Sequence, residues 1–239
     1  MESLTAEFAT RGPWVTRFHI SGQALGGEYL AAADPRLHAF LRRFPRPGRI
    51  LELGCLEGGH TLTLARVALE VVALEARAFN LEKARWLADV CKLNNIQFLE
   101  ADLEQFSFDA LGKFDVIFNV GLLYHLRRPW ELLEKLSKVA PAMFLWTHVA
   151  PSWRRTKGRV RLQLAGYRGD VYAELGPEDP LSGTRDDSFW PTMRSLRKML
   201  VDSGFPSITV LEKDPKHPHG PAVLLLCQSN DNHSVGRSS

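Results

Sequence analysis

ILELGCLEGGH, residues 50–60, joins an apolar strand that ends in an acid to a loop containing three glycines. In open parallel sheets, ligands bind beyond the carboxyl ends of the strands, so such a turn reads as a nucleotide cradle. Gly54 permits a tight turn, and Gly58 and Gly59 let backbone approach a ligand before the next helix begins. A dinucleotide fingerprint requires G-x-G-x-x-G, so that a pyrophosphate can rest on the helix N-terminus. From residue 54 the letters are G-C-L-E-G-G. Leu56 stands at the middle glycine, and the Glu57 carboxylate would repel a pyrophosphate at close range. The stretch therefore predicts a cofactor with a nucleoside, no phosphate and a positive charge. S-adenosylmethionine (SAM), with its sulfonium and ammonium, meets that description, and an NAD-dependent oxidoreductase does not.

Working outward, short apolar runs alternate with helical patterns. Strands are expected at 49–53, 70–75, 96–102, 114–121 and 142–148, with helices at 59–69, 78–94 and 129–139 between them. That rhythm implies an α/β fold, a parallel sheet with helices on both faces. After His148 it stops. Residues 149–191 are rich in Arg, Gly, Pro and Tyr, without periodicity, and read as a lid or acceptor insertion. A helix at 192–203 and strands at 207–213 and 222–228 follow. The HPHGP between those strands suggests a hairpin, which makes the last strand antiparallel. Residues 1–47 read as an N-terminal helical extension, broken at SGQALGG (21–27) and restarted at Asp34-Pro35. The core domain then spans 48–228, and the polar tail 229–239 reads as disordered.

Composition bounds the class. The chain has 239 residues, 45% hydrophobic and 24% charged, enough for a full core with an ordinary soluble surface. No apolar run approaches the ~20 residues of a membrane span, and the N-terminus lacks the features of a signal peptide. Cys55, Cys91 and Cys227 are odd in number and set in apolar segments, so they read as reduced core residues of a cytoplasmic protein without metal-ligand spacing. A net charge of +3 neither demands nor excludes a nucleic-acid partner.

The other strand ends agree with the loop. Glu75 closes the second strand, where a carboxylate can accept both ribose hydroxyls. Asp102 follows the third and suits an adenine amino group, and Asn119 closes the fourth, beside the methionine part. A lone acid at a strand end more often caps a helix. Three polar groups at successive strand ends, together with the glycines, are a stronger signal. The cofactor set so read is Glu52, Gly54, Cys55, Glu57, Gly58, Glu75, Ala76, Asp102, Leu103 and Asn119.

ELGCLEGG, LEA, EAD and FDVIFNVGLLYHL, in that order and spacing, resemble the motifs of class I SAM-dependent methyltransferases. The resemblance implies a Rossmann-like seven-stranded, mostly parallel sheet of order 3-2-1-4-5-7-6 with strand seven antiparallel. Leu56 departs from the commoner glycine. GLLYHLRRPWELLEKL, the GGH after the first strand and SFWPTMRSLRKMLVDSGF are similar, more narrowly, to the tRNA wobble-uridine carboxymethyltransferases, which use a carboxylated SAM. From that group only Tyr124 is carried over, as a position near the transferred group.

Methyl transfer is an in-line displacement that often needs a base for the nucleophile's proton. Tyr124 and His125, after the fourth strand, and His148, ending the fifth, are the titratable groups at the expected sheet edge. A histidine there can equally pack or bond a loop. His217 and His219 have no third partner at metal-ligand spacing and read as hairpin residues, and His60 as closing the glycine loop. In the insertion, Arg154, Arg155, Lys157, Arg159, Arg161 and Arg168 face one acid, Asp170. This is either a solvated lid or an anion clamp, with Tyr167 and Tyr172 as stacking faces and Glu174, Phe189 and Trp190 completing an acceptor pocket. The reading is a methyltransferase acting on a hydroxyl, amine or carboxyl of a small or medium-sized metabolite. Its rivals are an RNA-modifying transferase and a non-catalytic SAM-binding partner subunit.

Overall fold

The computed structural model describes residues 3–151 and 160–230. The chain divides into two compact units, Met1–Asp102 and Leu103–Ser239.

The first unit opens with α1 (Leu4–Thr10), whose N-terminus is capped by Ser3 Oγ accepting from Ala6 N at 3.2 Å. Then come β1 (Arg17–Ile20) and β2 (Gln23–Gly26), an antiparallel hairpin. The expected helical extension is therefore partly β. The glycine-rich break is the turn itself, with Ser21 and Gly22 both left-handed at φ 50° and 79°. The helix α2 (Pro35–Arg43) does start at Asp34-Pro35, where the Asp34 side chain accepts from Arg36 N at 2.8 Å. Next are β3 (Arg49–Leu53), α3 (Thr61–Leu64), β4 (Glu70–Glu75), α4 (Ala78–Val90) and β5 (Ile96–Glu100), with β3, β4 and β5 parallel. Val71 to Leu74 are fully buried, as expected of a strand covered on both faces. The helix expected over 59–69 keeps only one α-helical turn. Phe8 and Phe18 cluster with Leu62, Leu87 and Ala88, and Trp14 and Trp86 pack around them, so the N-terminal elements are tied to α4.

The second unit holds β6 (Val116–Val120), α5 (Pro129–Ser137), β7 (Ala142–His148), β8 (Val160–Leu164), β9 (Tyr167–Ala173), β10 (Asp187–Pro191), α6 (Met193–Asp202), β11 (Ser207–Asp214) and β12 (Ala222–Gln228). β6 and β7 are parallel, while β12 runs antiparallel to both β7 and β11. The seven-stranded sheet has the order β11-β12-β7-β6-β3-β4-β5. Counted along the sheet's own strands this is 3-2-1-4-5-7-6, as the family resemblance implied.

The insertion is not an irregular loop. Its described part forms a second, three-stranded antiparallel sheet of order β10-β9-β8. The β8–β9 turn is Ala165-Gly166, both left-handed at φ 49° and 84°. Gly169 on β9 has the carbonyl of Trp190 and the Phe189 ring so close that a Cβ would lie 2.4 Å from that oxygen, so no other residue fits there.

Candidate functional site

The loop after β3 is pinned by backbone bonds. Gly54 N and Cys55 N donate to Leu74 O at 2.8 and 3.0 Å. Leu56 takes the left-handed conformation, φ 50°, that the commoner glycine would supply. That conformation costs a non-glycine residue roughly 1–2 kcal/mol. It is held by Leu56 N donating to Glu75 Oε2 at 3.0 Å. The same carboxylate accepts from Arg77 N at 3.1 Å and Asn80 Nδ2 at 3.4 Å. Glu75 is thus fixed at the end of β4 as an acceptor. Ala76 follows it, and Asp102 and Leu103 follow β5.

Glu57 is elsewhere than the charge argument placed it. It is 1% exposed. Its carboxylate accepts from Val15 N (3.1 Å) and Thr16 N (2.8 Å) and pairs with Lys83 Nζ at 2.9 Å. A buried charge must find such partners, and these lie 26 to 42 positions away in sequence. Glu57 therefore anchors the N-terminal segment to the glycine loop and does not present its charge to a ligand. Gly59 shows the same closeness, since a Cβ there would lie 2.6 Å from Ala31 Cβ. His60 joins this clasp, with its Nε2 3.0 Å from Asp34 Oδ2 and 3.1 Å from Tyr29 Oη. Burial works to raise the Asp34 carboxyl, but hydrogen bonds from His60 and Arg36 overcome it and hold it well below the usual range.

Glu52, on β3, is 2% exposed, and its Oε2 has no hydrogen-bond partner. Burial pushes its carboxyl up to about 7, with the Glu75 charge adding to the rise. Cys55 is buried, and its thiol is pushed well up by burial and by both carboxylates.

In the second unit, β6 ends at Asn119 and Val120. Asn119 is fully buried, with Nδ2 on Met143 Sδ at 3.8 Å and Oδ1 without a partner. A 3-10 turn, Leu123–His125, follows. His125 Nδ1 lies 3.2 and 3.1 Å from the two Glu174 oxygens. Glu174 Oε2 also accepts from Ser182 Oγ and Gly183 N, both at 2.6 Å. Burial works upward on Glu174, but His125's hydrogen bond and charge, with Ser182's hydrogen bond, bring it down to about 2. An ionised carboxylate only accepts, so Nδ1 of His125 donates to it, and Nε2 takes no part in the pair.

His148, ending β7, donates through Nδ1 to Gly220 O at 2.9 Å. Burial pushes its imidazole down to about 4, and His217 and His219 act in the same direction against the two backbone carbonyls. His148 is therefore neutral. Its ring stacks on Trp190 at 4.6 Å and meets Tyr124 edge-on at 4.6 Å. Tyr124 lies 4.2 Å from the His125 ring, and Tyr172 stacks on Trp190 at 3.7 Å. The structure thus brings Tyr124, His125, His148, Tyr172, Glu174 and Trp190 into one cluster.

The remaining insertion residues part company with it. Tyr167 is buried, donates to Asp202 Oδ2 at 2.8 Å and packs on Trp130, so it is a packing residue and not a stacking face. Phe189 is buried against Trp130. Arg161 is bound by Asp170 and donates to Pro151 O at 2.6 Å, which removes it from an anion clamp. Arg154, Arg155, Lys157 and Arg159 lie outside the described residues. Among the described residues no group of three His, Cys, Asp or Glu could hold a metal ion, and no helix is long and apolar enough to cross a membrane. Sequence reasoning missed the Glu174–His125 pair, because 49 residues separate its members and only the fold joins them.

A family model described as a methyltransferase domain matches residues 50–141. The crystal structure of the N-terminal domain of EvdMO1 with SAH bound is 33% identical, covers 95% of both chains and superposes with a TM-score of 0.82. The same domain in the presence of SAH and D-fucose has 33% identity, the same coverage and a TM-score of 0.81. Among curated proteins, the tRNA U34 carboxymethyltransferase of Syntrophotalea carbinolica is 30% identical over 139 residues, 56% of this chain and 37% of that one. The chain spans less than half the length of the curated relatives it matches.

Proposed function

Because this chain belongs to the class I SAM-dependent methyltransferases, we propose that it methylates a hydroxyl group of a small, sugar-like acceptor, with His125 as the base. The observation that carries this reading is the His125–Glu174 pair at 3.1 Å, which leaves Nε2 free to take a proton. The rings of Tyr172, braced by Trp190, and of Tyr124 suit the apolar face of a sugar better than a charged polymer. The D-fucose named with the EvdMO1 domain supports the same acceptor class.

The residues fit the cofactor. Glu75 is an acceptor fixed for a ribose diol, Asp102 and Ala76 sit at the strand ends beside it, and the Glu52 Oε2 orphan is a buried polar atom that a bound group could partner. When bound, SAM supplies a methyl group on a sulfonium, open to in-line attack by an oxygen nucleophile. That transfer would break the carbon–sulfur bond and leave S-adenosylhomocysteine; His125 would take the acceptor's hydroxyl proton, and Glu174 would stabilise the resulting imidazolium. Neutral His148 and Tyr124 orient the acceptor rather than carry its proton.

Labelled-methyl transfer from SAM to a panel of hexoses, 6-deoxyhexoses and their glycosides, run beside unmodified tRNA, tests this. A methyl ether on a sugar hydroxyl is the expected product. Transfer to tRNA, or transfer from carboxylated SAM alone, would replace the reading with wobble-uridine modification. SAM binding with no acceptor in either pool would favour a non-catalytic subunit.

A further inference from the structure

We propose that Glu52 holds a proton in the cofactor-free protein and releases it to solvent when SAM binds. This rests on the cofactor reading above. Glu52 and Glu75 stand at the ends of the paired strands β3 and β4, where Leu53 is in register with Leu74. Two buried carboxylates so placed ionise together only if both are compensated. Glu75 is compensated, by donors from Leu56 N, Arg77 N and Asn80 Nδ2 and by the Arg77 guanidinium at 3.9 Å. Glu52 is not, since its Oε2 has no donor and the residue is 2% exposed. The groups facing it are Glu75 from β4, the Thr61 hydroxyl from α3 and the Cys55 thiol from the loop. Glu75 and burial oppose its ionisation, and the Thr61 hydroxyl offsets only part of that. The Cys55 thiol stays protonated and supplies no charge.

What would ionise Glu52 is a cation. SAM carries a sulfonium, an ammonium and a carboxylate, net +1, whereas S-adenosylhomocysteine has lost the sulfonium and is net neutral. Donor binding converts the Glu52 carboxyl to carboxylate, and the proton goes to the buffer. Once the sulfonium charge is spent, the carboxylate regains a proton, so the acid distinguishes donor from product.

Calorimetric titration of the full chain with SAM, in buffers of different ionisation enthalpy, counts the released proton. With the free carboxyl at about 7, about half a proton should leave at pH 7, and affinity should be about tenfold lower at pH 6 than at pH 8. S-adenosylhomocysteine should release less than half as much. Glu52→Gln should abolish both the release and the pH dependence, with an affinity below that of the parent at pH 6. Equal proton counts in parent and variant, or pH-independent binding by the parent, would overturn the proposal. No binding of SAM by the parent would instead overturn the cofactor reading. Should Glu52→Gln fail to fold, infrared spectroscopy of the parent decides. A protonated-carboxyl band that vanishes on adding SAM supports the proposal, and its absence in the cofactor-free protein refutes it.

Discussion

The two units use their polar side chains in opposite ways. In Met1–Asp102, carboxylates are consumed by the chain itself. Glu57 takes two backbone amides and Lys83, Asp34 takes Arg36 and His60, and Glu75 takes two amides before any ligand arrives. In Leu103–Ser239, His125 is held at Nδ1 by Glu174 and His148 at Nδ1 by a backbone carbonyl, which leaves Nε2 of each outside those bonds. The first pattern builds a frame, and the second leaves one ring nitrogen of each histidine outside those bonds. An acid at a strand end therefore says little until its donors are counted, whereas a histidine oriented through one nitrogen points to chemistry at the other.

The comparison breaks most visibly at His125. His125→Gln should lower the methyl-transfer rate by roughly 10²–10⁴, the range of a lost general base, while SAM affinity measured by calorimetry stays within twofold. Glu174→Gln should act in the same direction but less strongly, since it leaves the imidazole present but wrongly oriented. Full activity in His125→Gln would reduce the second unit's cluster to packing.

Glu57→Gln tests the other half. Removing one partner of a buried ion pair costs about 3–5 kcal/mol, because Lys83 is left uncompensated. Urea unfolding should show that loss, while SAM affinity of the folded fraction changes less than threefold. A large affinity loss at unchanged stability would return Glu57 to the cofactor and erase the contrast between the two units.

Glu75 sits between these cases, since it both braces the loop and is proposed to bind. A charge-assisted hydrogen bond contributes about 1.5–3 kcal/mol. Glu75→Gln should therefore weaken SAM binding by about ten- to a hundredfold, with a smaller loss of stability than Glu57→Gln. Unchanged affinity in the folded variant would leave Glu75 as frame alone.

Legibility followed the range of the interactions. Residues 49–53, 70–75, 142–148 and 222–228 were readable to the residue as strands, because each is a nearly continuous apolar run whose burial follows from its own composition. The N-terminal hairpin was hidden, since four-residue strands joined by Ser21-Gly22 look like a broken helix. The strands of the insertion were hidden because Arg161, Arg168, Gly169, Asp170 and Asp187 interrupt their apolar runs, and the partners of those residues, such as Asp170 for Arg161, are cross-strand. Within the candidate site, the turn after β3 and the place of Glu75 at the end of β4 were legible from spacing. Glu57 was misread because nothing adjacent in sequence announces that Val15, Thr16 and Lys83 will surround it. The Glu174–His125 pair was invisible for the same reason.

The smallest expected effect separates two tyrosines that sequence alone treats alike. Tyr172 stacks on Trp190 with planes 17° apart, in the cluster with His148 and Tyr124. Tyr167 spends its hydroxyl on Asp202 and its ring on Trp130. An aromatic contact contributes about 0.5–1.5 kcal/mol beyond its buried area. Tyr172→Ala should therefore raise acceptor KM by about two- to tenfold, with kcat and SAM affinity nearly unchanged. Tyr167→Phe loses only one hydrogen bond, worth about 1 kcal/mol of stability, and should leave KM where it was. Steady-state kinetics with the best sugar acceptor, beside thermal unfolding of both variants, gives the two readouts. Should Tyr167→Phe move KM while Tyr172→Ala does not, the acceptor lies on the α6 side of β9, and the Tyr124–His148–Trp190 cluster is a core and not a wall.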